Sequence, residues 1–222
     1  MAAEIVILLI GPHGSGKTSF VKCVTGSTMD VAPTTRCREY QANVGGNAFR
    51  IIDTPGLDDL PAGNLSILKD VTQTLEKLGL SVSGAIFFHR ITDGRFTGSA
   101  RSSLDIFKQI CGDGFAKQVA FVTSMWNKLS PAARDHHKGL NEELRQKYFH
   151  IGPGPATAFP FGNDEKGAKA VLKYFGAKGV EGKQLLLAQE VKRSGTNLSS
   201  MRRTSAGRVI MQASKNTLCT IL

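Results

Sequence analysis

The sequence predicts an α/β domain: a mostly parallel six-stranded sheet with one antiparallel edge strand, helices on both faces, and a helical C-terminal extension. Three observations carry that expectation. Short apolar runs rich in β-branched residues alternate with stretches of helical period, as in a sheet whose strands are buried on both faces. One pair of runs is joined by a tight turn instead of a helix. The first run ends in a glycine-rich loop that opens a helix.

Taken in order, Glu4 to Ile10 is the first strand, and a helix follows the glycine-rich loop to about Thr25. Arg38 to Val44 and Ala48 to Asp53 read as two strands joined at Gly45-Gly46-Asn47, a hairpin signal. Leu68, Val71, Leu75 and Leu78 recur at helical spacing within a helix expected over residues 65–78. A strand at Gly84–His89, a helix at Ala100–Cys111 and a strand at Gln118–Thr123 come next. Ser130 followed by Pro131 is a helix start, a capping hydroxyl before a proline at the first helical position. That helix should run to about Phe149, before a strand at Ala156–Phe161 and a helix at Glu165–Phe175. After Gly176 the composition shifts to Lys, Arg, Gln, Ser and Thr with scattered apolar residues, which reads as one or two helices packed on the body or projecting from it. The expected organisation is a nucleotide-binding domain over residues 1–178, a basic helical extension over 179–218, and a distinct last four residues.

Composition narrows the classes. With 222 residues, 41% of them hydrophobic and 21% charged, the chain can bury a core without disulfide staples. Its longest clean apolar run is Ile5 to Ile10, far short of the roughly 20 residues a membrane span needs. The four residues before that run contain no basic residue, so a secretory leader is not expected and a cytoplasmic protein is. Cys23, Cys37, Cys111 and Cys219 form no Cys-x-x-Cys pair, and the first three read as reduced thiols. The net charge of +10 is unevenly spread: residues 1–178 carry 21 basic and 16 acidic side chains, the last 44 carry seven and two. A concentrated basic tail suits an anionic membrane surface. Basic residues are not interleaved with aromatic ones, so no nucleic-acid partner is expected.

The chemistry is concentrated in Gly11-Pro12-His13-Gly14-Ser15-Gly16-Lys17-Thr18-Ser19. Gly-x-x-x-x-Gly-Lys-Thr after a strand and before a helix is a phosphate-binding loop, in which backbone N–H groups and the helix N-terminus cradle a polyphosphate. Lys17 would reach the β- and γ-phosphates, and the Thr18 hydroxyl would ligate Mg²⁺. Asp53-Thr54-Pro55-Gly56 follows 36 residues after Lys17, at the end of a strand. Asp53 would hold the Mg²⁺ shell, and Gly56 would offer its N–H to the γ-phosphate. Between them, Thr34 and Thr35 both stand in a loop able to cover the γ-phosphate and the metal.

Together with Thr34-x-x-Cys37 and the Gly94-Arg95-Phe96-Thr97 box, these motifs resemble the GIMAP-type, immune-associated nucleotide-binding GTPases, relatives of septins and chloroplast Toc receptors. Phe88-His-Arg-Ile-Thr-Asp-Gly-Arg95 and Thr123-Ser-Met-Trp126 look closest to fungal members. The resemblance covers about residues 4–178 and implies a Ras-like P-loop GTPase domain that binds GTP and GDP with Mg²⁺. It favours Thr34 as the metal ligand. It also implies a homodimer through the nucleotide face, with Arg95 as an arginine finger across it; Arg36 and His13 are alternatives within the same chain.

One departure stands out. GTPases usually read guanine with Asn-Lys-x-Asp, but Thr123-Ser-Met-Trp126 has no carboxylate, and Asn127-Lys128-Leu129-Ser130 starts four residues too late and ends in Ser. Thr123, Met125, Trp126 and Asn163 are then the candidate base contacts, with adenine as well as guanine left open. Leu57, not glutamine, follows Gly56, which leaves a scaffold that holds nucleotide with negligible turnover as the rival expectation. Finally, Cys219-Thr220-Ile221-Leu222 fits a prenylation box, whose lipid would act with the basic tail at a membrane.

Overall fold

Every strand expected from the apolar runs lies in one sheet. The computed structural model describes residues 4–27, 33–57, 61–79, 81–93, 96, 98–152, 157–178 and 181–219, the side chains of 61, 62 and 214–219 excepted. Strand β1 (Ile5–Ile10) leads through the phosphate loop into helix α1 (Lys17–Thr25). Strands β2 (Arg38–Val44) and β3 (Asn47–Asp53) form the hairpin, turning on Gly45 and Gly46 at φ 61° and 80°. Positive φ at both central residues is what a two-residue hairpin turn demands, and glycine supplies it without a Cβ clash.

Helix α2 (Pro61–Lys77), the two-residue strand β4 (Ser81–Val82) and strand β5 (Gly84–Arg90) follow. Then come α3 (Gly98–Cys111), β6 (Val119–Ser124), α4 (Pro131–Lys147), β7 (Thr157–Pro160) and α5 (Glu165–Ala177). Ser130 caps α4 by accepting from the Ala133 N–H at 3.3 Å, as the Ser-Pro start implied. The sheet order is β2-β3-β1-β5-β6-β7, antiparallel only at the β2–β3 edge.

Alternation along the strands divides the core between the two faces. Leu8, Ile52, Phe87 and Phe121 face α2, α3 and α4, whereas Ile7, Leu9, Ile51, Phe88 and Val122 face α1 and α5. The parallel strands all end on the same edge, so the loops after β1, β3, β5 and β6 meet there. In such sheets that edge is where ligands bind.

The C-terminal segment departs from the expectation in number. It forms three helices, α6 (Leu186–Ser194), α7 (Leu198–Arg203) and α8 (Ser205–Cys219), preceded by strand β8 (Lys183–Gln184), which pairs with β4 in a small second sheet. Two-residue strands carry no readable period, so β4 and β8 have no signal in the sequence. The helices do not project. Leu187, Val191, Met201 and Ile210 are buried in the same cluster as Leu68 and Val71 of α2 and Leu104 and Phe107 of α3. No helix among the described residues is long and apolar enough to cross a membrane. Helix α8 includes the Cys219 backbone; its side chain and residues 220–222 lie outside the described residues.

Candidate nucleotide-binding site

The phosphate loop starts where β1 leaves the sheet. Gly14 and Gly16 take φ of 67° and 93°, which turns the chain so that α1 begins at Lys17 with its N-terminus aimed into the loop. The Lys17 ammonium donates to the carbonyls of Gly11 and Pro12, at 3.0 and 3.1 Å, and so lies inside the curl of the loop. A pocket of about 260 Å³ is lined by residues 13–19 together with Pro33, Thr34, Thr54, Gly56 and Met125. Among the described residues, Lys17 is its one formally charged lining residue, so it suits an anion. Ser15 Oγ is buried here without a hydrogen-bond partner among the described residues.

Three oxygen donors converge beside Lys17. Thr18 Oγ1 donates to Asp53 Oδ2 at 2.8 Å, Thr34 Oγ1 donates to the same oxygen at 3.1 Å, and the two hydroxyls are 3.1 Å apart. These side chains come from α1, the end of β3 and the loop before β2. Burial pushes the Asp53 carboxyl above its ordinary value, against the Thr18 hydrogen bond and the nearby Lys17 charge, which lower it. Its second oxygen, Oδ1, is buried and has no partner among the described residues. A buried carboxylate with a vacant oxygen and two adjacent hydroxyls is a hard oxygen donor set, and it fits Mg²⁺. Thr35 lines a neighbouring groove and is not in this cluster.

Gly56 closes the site from the other side. A Cβ there would stand 2.4 Å from His13 Cα and 2.5 Å from His13 N, so only glycine lets the two loops lie back to back. Leu57 N donates to the Gly11 carbonyl at 3.1 Å and fixes that contact. The loop after β3 is therefore in register with the phosphate loop. His13 lines the phosphate pocket and also a larger groove of about 600 Å³, shared with Thr34, Thr35 and Arg36 and walled by Ser66, Lys69 and Asp70 of α2.

Toward the base side, Gly16, Ser19 and Met125 continue into a second pocket of about 230 Å³, completed by Ser124, Asn127, Lys128, Phe161 and Asn163. Met125 and Asn163, two of the four candidate base contacts, line it. Thr123 and Trp126 do not: the Trp126 indole N–H donates to Thr123 Oγ1 at 3.0 Å, and that hydroxyl donates to Asn141 Oδ1 of α4 at 2.8 Å. Both stand behind the pocket wall, holding the turn after β6. Asn127 and Lys128, set aside because their register was wrong for Asn-Lys-x-Asp, do line the pocket. Their route is the left-handed residue Met125, φ 67°, followed by a 3-10 turn, and nothing in the sequence signals that turn.

Arg95, Gly94 and Thr97 lie outside the described residues. Phe96 between them is anchored, stacked on Tyr148 at 4.6 Å between centroids and edge-on to His89 at 5.1 Å. Arg90, which lies in the Phe88–Arg95 stretch but is given no role there, sits at the end of β5 with its guanidinium beside Gly14 and paired to Asp93 at 3.1 Å.

Comparison with known proteins agrees with this geometry. Residues 6–99 match the family described as 50S ribosome-binding GTPase. An Arabidopsis thaliana protein, immune-associated nucleotide-binding protein 5, is 33% identical over 70 residues. That stretch is 31% of this chain and 23% of the relative, so the chain spans under a quarter of that protein's length. Among solved structures, Toc33 from Arabidopsis thaliana in complex with Mg²⁺ and GMPPNP superposes with a TM-score of 0.56 at 18% identity, over 82% of this chain and 88% of that one. Era from Aquifex aeolicus bound to GDP and aluminium fluoride gives 0.60 at 19% identity, over 82% and 59%. The fold is that of a P-loop GTPase domain.

Proposed function

We propose that the chain binds GTP with Mg²⁺ and hydrolyses it to GDP, and that a second copy docking on the nucleotide face speeds the reaction. The observation that carries this reading is the meeting of Thr18, Thr34 and Asp53 beside Lys17, because three separate segments supply one donor set. Thr18, Thr34 and Asp53 would hold the ion, directly or through its water. When bound, Mg²⁺ neutralises charge on the β- and γ-phosphate oxygens.

The chain's own groups do the remaining work. Lys17 leaves the Gly11 and Pro12 carbonyls for the β- and γ-phosphates, and the loop N–H groups fix the polyphosphate in line. The N–H of Gly56, whose loop packs against His13, would serve the γ-phosphate. His13 lies at the junction of pocket and groove, where it can contact the same phosphate. Charge developing on the phosphoryl oxygens then needs a cation, and Arg95 of a second copy is that residue. An arginine finger is worth roughly 10³–10⁵ in rate. Two observations support this part. Phe96, the residue after Arg95 in the chain, is itself anchored on Tyr148 and His89. A structural neighbour with a TM-score of 0.60 at 16% identity, over 82% of this chain and 85% of that one, is described with dimerisation important for the GTPase activity of Toc33 and Toc159.

The test is GTP hydrolysis at high protein concentration by Lys17→Ala and Arg95→Ala. Lys17→Ala should lose nucleotide binding, whereas Arg95→Ala should bind normally and turn over at least tenfold more slowly. Parental turnover in Arg95→Ala would remove the finger. A second reading, nucleotide held as a structural ligand, is favoured by one observation: the residue after Gly56 is Leu57, buried and tied to Gly11, so that position cannot orient a water. Tight binding with no turnover at any concentration would establish it.

A further inference from the structure

The second pocket has an unusual donor and acceptor set. Among the described residues, no Asp or Glu lines it. The nearest carboxylate in sequence, Asp164, does not line it; its Oδ1 accepts from the Gly167 N–H at 2.7 Å and caps α5. What lines the pocket instead is donor-rich. Lys128 carries only donors. Asn163 also lines it, with an amide N–H₂ that can donate, while its Oδ1 accepts from the Cys23 thiol at 4.0 Å. Ser124 Oγ is turned away, donating to the His89 carbonyl at 3.3 Å. Phe161 supplies an apolar wall.

The backbone points to the same place. Among the described residues, the two non-glycine residues with positive φ are Met125 (67°) and Asn163 (61°), and both line this pocket. Left-handed backbone is costly for a side chain such as methionine, and such strain gathers at ligand sites.

Resting on the nucleotide-binding reading above, we infer that this pocket selects 6-oxopurines as a class and does not read the substituent at C2. The purine O6 is an acceptor, and it meets Lys128 and the Asn163 amide. Adenine presents a donor, its 6-amino group, to those same donors and is rejected. In guanine the N1–H and 2-amino donors normally pair with a carboxylate. With none in the pocket, hypoxanthine, which lacks the 2-amino group, loses nothing. Xanthine, largely anionic at neutral pH, meets a lysine where a carboxylate would have repelled it.

Isothermal titration of the full chain with GDP, IDP, XDP and ADP, each with Mg²⁺, tests this directly. The expected result is dissociation constants for GDP, IDP and XDP within about threefold of one another and ADP about tenfold weaker or more, the loss expected from opposed donors at one charge-assisted contact. Lys128→Met should weaken GDP and IDP about tenfold and leave ADP unchanged. Lys128 is exposed, so the variant should fold. GDP binding tenfold tighter than IDP would overturn the inference, because something would then be reading C2. Equal binding of ADP and GDP, or an unchanged GDP to ADP ratio in Lys128→Met, would overturn it as well. If none of the four diphosphates bound, the nucleotide-binding reading would fall and take this one with it.

Discussion

Thr34 and Thr35 are adjacent and chemically identical, so residue type alone leaves the proposed metal ligand open; their positions relative to Asp53 differ. Thr34 Oγ1 lies 3.1 Å from both Asp53 Oδ2 and Thr18 Oγ1, while Thr35 faces the outer groove. Thr34→Ala should therefore weaken Mg²⁺-dependent GTP-analogue binding by about tenfold or more, since a hydrogen bond to a charged group is worth about 1.5–3 kcal/mol. Thr35→Ala should leave it within about twofold, and equal losses in a binding titration would contradict the assignment. His89 gives a second test. Burial among Phe96 and Phe149 lowers its pKa to about 4, against a small rise from Asp93 and a small further lowering from Arg90. Neither ring nitrogen has a hydrogen-bond partner among the described residues. The unfolded chain takes up this proton near the ordinary histidine value, and the fold resists until about pH 4. Stability is therefore intact above pH 6.5 and falls as pH drops through that window. The loss between pH 7 and pH 5 is roughly 2 kcal/mol, and His89→Phe should flatten the slope in urea melts.

Helix α2 joins the nucleotide loops to the C-terminal helices. On one side Asp70 accepts from the Cys37 N–H at 2.6 Å, which pins the end of the loop bearing Thr34. The Cys37 thiol is held protonated and unreactive, first by burial and then by the Asp70 charge. On the other side Val71 and Leu75 pack in one cluster with Met201 and Ile210. Asp70→Ala should speed amide exchange at Cys37 and cost about 1.5–3 kcal/mol of loop anchoring, visible as weaker triphosphate binding. Met201→Ala should destabilise the whole protein by about 2–4 kcal/mol, because the side chain is fully buried. A loss under 0.5 kcal/mol in denaturant would mean the C-terminal helices are not part of the core. These two sides of α2 differ in how well the sequence reveals them. Its period and the hairpin glycines are local signals, and both elements appear where expected. The packing of three short helices is a long-range choice, with polar residues numerous enough that projection and docking read alike. The same holds for the second pocket: Met125 and Asn163 belong to loops that the sequence singles out, while Lys128 enters only through a left-handed turn that no local pattern announces.

For the molecule as a whole, the net charge of +10 is least balanced in the C-terminal segment, where Lys192, Arg193, Arg202, Arg203 and Arg208 are exposed on α6, α7 and α8. The phosphate loop and the loop bearing Thr34 meet at the C-terminal edge of the sheet, the edge that the proposed docking of a second copy would use. Dimer-assisted hydrolysis is a statement about concentration. Its direct measure is GTP turnover per molecule over a hundredfold range of protein concentration, with ATP in parallel. Turnover per molecule that rises with concentration and prefers GTP is the expected result. Flat and negligible turnover in the presence of tight nucleotide binding would contradict it and leave a nucleotide-holding scaffold.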